Sequence, residues 1–379
     1  MIKLNIAGDF VPYNKYYINN EIDLSDAFGE LAALNKTCDY SVVNLECPIV
    51  LSKTKPIDKC GPSLKANENA AKVLRFAHFD CVTLSNNHFY DYGEQGVKDT
   101  LDTLNRFGID HVGGGLNLME ASKTFYKIIK ERTIAFINCS EHEFATATEK
   151  KAGSNPLDII TQFYEIKKAK EKADYVILIV HGGIEAFCYP SPRMKKTYQF
   201  FIDSGADAVI NHHQHYYSGF EIYKNRPIVY GLGNLLFDTG PSSSTLWNTG
   251  YMIHLLLEKS HVEFNIVPYK KTIGQPKIAL LKDKELQLFH ERLGHLNAII
   301  GDDGQLKEEY NKLLQQKDGT YKNILTPYSS KYLNYAYSKG LLPSFFPRKK
   351  KIILLNRIEC ESHRERLVAY LKKTLNLTT

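Results

Sequence analysis

Short strand-sized runs alternate with amphipathic stretches along most of this chain. Residues 2–7, 40–45, 81–84, 175–180 and 208–210 are the strand candidates, and 175–180 is apolar throughout. That is the pattern of strands covered on both faces of a sheet. Residues 23–34, 67–77, 93–107, 157–173 and 194–204 repeat with a helical period; in 93–107, Val97, Leu101 and Leu104 fall on one stripe. Residues 124–130 and 132–138 read as a hairpin, the region 219–267 as short β segments, and the chain beyond about 282 as helical and charged. Strands alternating with helices predict a layered α/β fold. The change of pattern divides the chain into 1–272 and a mainly helical extension, 273–379.

The polar residues that follow the apolar runs change this picture from a fold to a site. The runs lead in order into Asp9, then Asn44 and Glu46, then Asn87 and His88, then His181, then His212, His213 and His215. Singly, Asp9 is a turn or cap residue and Asn86-Asn87 a turn signal. Turn chemistry does not explain why each central strand should stop in a carboxylate, amide or imidazole. In open α/β sheets, ligands sit beyond the carboxyl ends of the strands. Mixed oxygen and nitrogen donors suit Mn, Fe or Zn, and six or more of them exceed what one tetrahedral zinc takes. Two divalent ions bridged by a carboxylate would use the whole set.

Composition narrows the context. The 379 residues are 43% hydrophobic and 24% charged, which is ordinary for a globular protein. The seven cysteines are scattered without a CxxC pair, so neither a disulfide framework nor a zinc ribbon is expected. No run approaches a membrane span and the first residues do not read as a signal peptide, so the expected location is cytoplasmic. The net charge of +6 lies wholly in residues 345–379, which hold nine basic and three acidic residues. The neutral body lacks the basic stripe of a nucleic-acid binder, so nucleic acid is not an expected partner. The tail, with Arg348, Lys349, Lys350 and Lys351 ahead of an apolar stretch, reads as a docked helix with a solvated basic face or as a contact for an anionic membrane surface or polymer.

The motifs GDF (8–10), NLECP (44–48), SNNHFYDYGEQG (85–96), HVGGG (111–115), HGGIE (181–185), GADAVINHHQH (205–215) and YGLGNLLFD (230–238) occur in an order that resembles the CapA family of poly-γ-glutamate and capsule-synthesis proteins. The resemblance implies a calcineurin-like metallophosphoesterase fold, a layered β-sheet sandwich flanked by helices. Carried over by position, it implies metal ligation by Asp9, Glu46, Asn87, His181, His213 and His215, with Glu46 standing where an aspartate bridges the two ions. It implies that His88 assists the leaving group. Where the superfamily holds a histidine two residues after the first aspartate, this chain has Val11, so the first ion would be one ligand short, with His212 or Asn44 as replacements. Asp91 and Glu185 are candidates to orient histidines. Glu141 would line the cleft mouth, and Arg193 would grip an anionic group through its planar fork.

Two functions follow as expectations. One is a metal-dependent hydrolase, phosphoesterase-like more than amide-cleaving, acting on an anionic polymer or a phosphorylated small molecule in capsule or cell-surface polymer synthesis. The other is a non-catalytic protein that binds or assembles an anionic polymer, since fold does not settle function.

Overall fold

A computed structural model describes residues 1–12, 23–59, 61–237, 245–258, 261–272, 275–316, 328, 330–343, 346–359, 367, 368 and 371. The chain forms two compact units, Met1–Glu309 and Tyr310–Thr379.

Two mixed sheets make the first unit. One contains β1 (Ile2–Val11), β2 (Tyr40–Leu45), β3 (Cys81–Thr83) and β4 (Asp110–Val112), all parallel. The two-residue strand β5 (Gly114–Gly115) follows outside it. The second sheet is built from the hairpin β6 (Phe125–Ile129) and β7 (Arg132–Ser140). After β8 (Gly153–Ser154), which pairs β5, it adds β9 (Tyr175–His181), β10 (Ala208–His212), β11 (Phe220–Tyr223) and β12 (Arg226–Val229), in the order β11-β12-β10-β9-β7-β6. The chain then returns to the first sheet. There β13 (Asn234–Phe237) pairs β1 in parallel, and β14 (Thr249–Leu257), β15 (Val262–Lys271) and β16 (Ile278–Leu280) extend the other edge antiparallel.

Alternate residues of each strand face opposite sides, so each sheet feeds two cores. Ile2, Leu4, Ile6 and Val42 meet Ile134, Phe136, Ile177, Ile179 and Ile210 between the sheets. Val43, Leu45 and Val82 turn outward onto the helices α1 (Leu24–Asn35), α2 (Asn69–Phe76) and α3 (Gly93–Arg106). After the single turn α4 (Leu118–Ala121), α5 (Ile159–Lys170) and α6 (Pro192–Ser204) cover Ile137, Val176, Leu178 and Val209 on the far side. The result is the expected sheet sandwich flanked by helices. Helix α7 (Asp283–Gly301) sends Phe289, Leu293 and Leu296 into the central core. The described residues from 275 to 309 therefore belong to the same compact unit as the sandwich, which moves the boundary from 272 to 309. Helix α8 (Asp303–Gln316) follows.

In the second unit, α9 (Lys331–Ser338) and α10 (Arg348–Glu359) are helical as expected. The basic residues Arg364, Arg366, Lys372 and Lys373 of the tail lie outside the described residues. Among the described residues no helix is long and apolar enough to cross a membrane.

Candidate metal centre

The carboxyl ends of β2, β3, β9 and β10 point the same way in two stacked sheets, so loops from both sheets meet over one buried floor. Asp9 does not end β1, which runs on to Val11; the register slips beside Asp9, between it and Phe10. Such an irregularity re-aims a side chain. Its carboxylate accepts from Nδ2 of Asn44 at 2.7 Å and from the His213 amide at 3.2 Å. Each sheet thus holds one end of the same aspartate.

Glu46, fully buried after β2, is the centre of the cluster. Its Oε1 lies 3.4 Å from Nε2 of His181, and its Oε2 lies 4.0 Å from Nδ1 of His215. Among the described residues, neither oxygen receives a hydrogen bond. Nε2 of His181 also stands 2.9 Å from Oδ1 of Asn87 and 3.1 Å from Nδ1 of His213. Nδ1 of His215 stands 3.7 Å from Oδ2 of Asp9. Donor atoms therefore gather into two groups, Glu46–His181–His213 and Asp9–Glu46–His215, with Glu46 common to both.

The electrostatics of this floor are adverse without a cation. Burial, then the neighbouring Asp9 charge, holds the Glu46 carboxyl well above the usual carboxylate range. Burial, then the adjacent His213, holds His181 well below the usual imidazole range. Burial pushes His215 down to about 4, against the pull of Asp9. A buried carboxylate without donors and imidazoles held neutral are what a divalent ion requires of its ligands. The residues present fit a bound divalent metal. His213 and His215 also hold left-handed backbone, with φ of 93° and 60°. Such conformations cost about 1–3 kcal/mol each and persist where surrounding structure imposes them.

His88 stands beside this floor. Its Nδ1 lies 2.6 Å from Oδ2 of Asp91, which also accepts from the Leu64 amide at 2.7 Å. Lys59 pairs with the other Asp91 oxygen, and both side chains are almost wholly buried. Asp91 thus lies within hydrogen-bond reach of His88 and orients its ring. Lys59 was not anticipated; it sits in a turn-rich loop that offers no periodic signal.

Other expected residues are placed differently. Asn44 supports Asp9, while its own oxygen accepts from Thr83 Oγ1 at 3.1 Å and Asn86 Nδ2 at 3.3 Å. His212 turns its Nε2 to the Ala7 carbonyl at 2.9 Å and so stitches β10 to β1. Neither stands in for the histidine missing at Val11, which is itself buried in the apolar layer. Glu141 accepts from the Gly183 amide at 3.1 Å and pairs with Arg193, so that guanidinium is engaged on the protein. Glu185 is exposed, and its charge reaches Glu46 and His215 only through space. Asn234, also unanticipated, opens β13 beside Asp9 and places Oδ1 3.0 Å from Nδ1 of His215. Its signal was a polar residue in the Gly-Leu-Gly-Asn run of the YGLGNLLFD motif.

Residues 3–239 match the family model described as bacterial capsule synthesis protein PGA_cap. The chain belongs to that family. It is 30% identical over 268 residues to the "Capsule biosynthesis protein CapA" of Bacillus anthracis, covering 69% of this chain and 65% of that one. It is 34% identical over 210 residues to the "PGA biosynthesis protein CapA" of Bacillus subtilis (strain 168), covering 54% of this chain and 55% of that one. The chain thus spans less than two thirds of these relatives' own length. Among solved structures, a hypothetical protein from Thermus thermophilus aligns with a TM-score of 0.46 at 15% identity, over 72% of this chain and 100% of that one. The family match ends near the close of β13, so the two donor groups and the His88–Asp91 pair all lie inside it.

Proposed function

We propose that this member of the capsule-synthesis family is a metal-dependent hydrolase of the phosphoesterase type, acting in capsule or cell-surface polymer biosynthesis. The observation that carries the reading is Glu46: both oxygens are buried, neither has a donor among the described residues, and each faces a different histidine group. Asp9, Glu46 and His215 would hold one ion; Glu46, Asn87, His181 and His213 would hold the other. Two divalent ions supply Lewis-acid charge to a phosphoryl group and make water easier to deprotonate near neutral pH. Around them the chain's own groups divide the work. Asn44 and the His213 amide fix the Asp9 carboxylate in place. When His88 carries both ring protons, Asp91 accepts a hydrogen bond from its Nδ1–H, and Nε2–H would give its proton to a departing oxygen, leaving a neutral imidazole. Lys59 balances the Asp91 charge, so that His88 exchanges its proton without leaving a lone buried carboxylate behind.

The substrate class that suits this charge is a phosphoester, on an anionic polymer or a small phosphorylated molecule. The test is elemental analysis of the purified protein beside a phosphomonoester and phosphodiester screen, before and after chelation. Bound Mn, Fe or Zn with turnover lost on chelation supports the reading. Tight binding of an anionic polymer with no turnover on any ester, metal or not, overturns it in favour of an assembly role.

A further inference from the structure

We propose that Asn234 is the oxygen ligand that completes the Asp9–Glu46–His215 group, in place of the histidine absent at position 11. The inference rests on the reading of this site as a metal centre and concerns which residues build it. The two donor groups are unequal without it. Around His181 stand a Glu46 oxygen, a second imidazole and the Asn87 amide oxygen. Around His215, among the described residues, the group has only the two carboxylates. Asn234 removes the inequality: its Oδ1 is 3.0 Å from His215 Nδ1, as Asn87 Oδ1 is 2.9 Å from His181 Nε2. Each half of the site then repeats one pattern, a Glu46 oxygen, an imidazole nitrogen and an amide oxygen. Neighbouring ligands about 2.1 Å from one ion, at right angles, stand about 3 Å apart.

The fold aims this oxygen. Asn234 is 2% exposed and pairs in register with Asp9, so β13 carries it to the same level of the sheet. Its Nδ2 donates to the Trp247 carbonyl at 3.2 Å, which leaves Oδ1 to face His215. The Trp247 and Phe237 rings flank His215, with centroids 4.8 Å and 4.7 Å away, and hold the imidazole in that direction. An amide oxygen where an imidazole would stand makes this half richer in oxygen, which favours Mn over Zn there.

The experiment is Mn titration of demetallated full-length protein by calorimetry and electron paramagnetic resonance, for the wild type, Asn234→Leu, Asn234→Asp and His213→Ala. The expected wild type binds two ions. Asn234→Leu keeps one and weakens the other at least about 10-fold, while Asn234→Asp, which retains an oxygen but loses the donor to Trp247, keeps both. Equal loss in Asn234→Leu and Asn234→Asp would assign the residue to holding Trp247 and overturn the proposal. So would two ions of wild-type affinity in Asn234→Leu, with His213→Ala losing one; in that case the metal centre stands and Asn234 is outside it. No Mn in the wild type overturns the centre and this ligand together. Melting of the metal-free variants alongside the wild type separates lost ligation from lost folding.

Discussion

Oε1 of Glu46 lies 3.4 Å from Nε2 of His181, yet that carboxylate, fully buried, receives no hydrogen bond on either oxygen from the described residues. A buried carboxyl without donors destabilises the metal-free fold, because its charged form is held off by burial. Glu46→Gln is therefore expected to raise the stability of the metal-free protein by on the order of 1 kcal/mol. The same change should abolish the rise in melting temperature on adding Mn, which for a site held at a thousand times its Kd is worth about 4 kcal/mol. Thermal melts with and without metal measure both; a variant less stable than wild type in the metal-free state would contradict the first expectation.

His88 is oriented by Asp91 and belongs to neither donor group. His88→Asn should lower kcat by about 10²–10⁴-fold while metal content stays at the wild-type level. Loss of metal in this variant would make His88 a ligand instead of a proton donor.

Gly8 lies where β1 meets Gly233, the residue before β13. A Cβ there would stand 1.9 Å from the Gly233 carbonyl oxygen, which also accepts from the Asp9 amide. Backbone cannot yield as a side chain does. Gly8→Ala should cost about 3 kcal/mol and displace Asp9 and Asn234 together. Urea unfolding gives the stability change, and an unchanged midpoint would show that the two strands separate freely.

Far from this centre, β14 carries His254, whose Nε2 sits 3.8 Å from the Cys38 thiol. Burial, helped by the Lys3 charge, pushes its pKa down from 6.5 to about 4. The native imidazole is neutral while the unfolded chain takes up a proton first. The stability that His254 contributes is complete above about pH 6.5 and is lost as pH falls toward about 4. His254→Gln should flatten the fall in melting temperature across that window. Parallel curves for the two proteins would show that other groups carry the whole dependence.

The polar groups that follow the apolar runs were legible because strand period and burial are local. A run such as 175–181 is apolar on both faces, so its end is where polar chemistry can begin. The helices over 93–106 and 192–204 were visible for the same reason, the second opened by Ser191 and closed by left-handed Gly205. Asn234 was not legible as a site residue. The strand it begins is four residues long, and its partner β1 is more than two hundred residues away. Nor was Lys59, whose place beside Asp91 depends on how a turn-rich loop lies across α3.

From the sequence alone come the layered α/β pattern, the order of the motifs, and the carboxylates, amides and imidazoles set at strand ends. These follow from side-chain periodicity and from the chemistry of each residue type, which need no partner to be read. Only the tertiary structure decided that donors from two stacked sheets share one floor, and that His212 and Asn44 brace the site. It alone put an amide from β13 beside His215, where the chain lacks a histidine at position 11. Those outcomes depend on pairing and packing between distant segments, where a register step or an amide's orientation determines which atom faces the site.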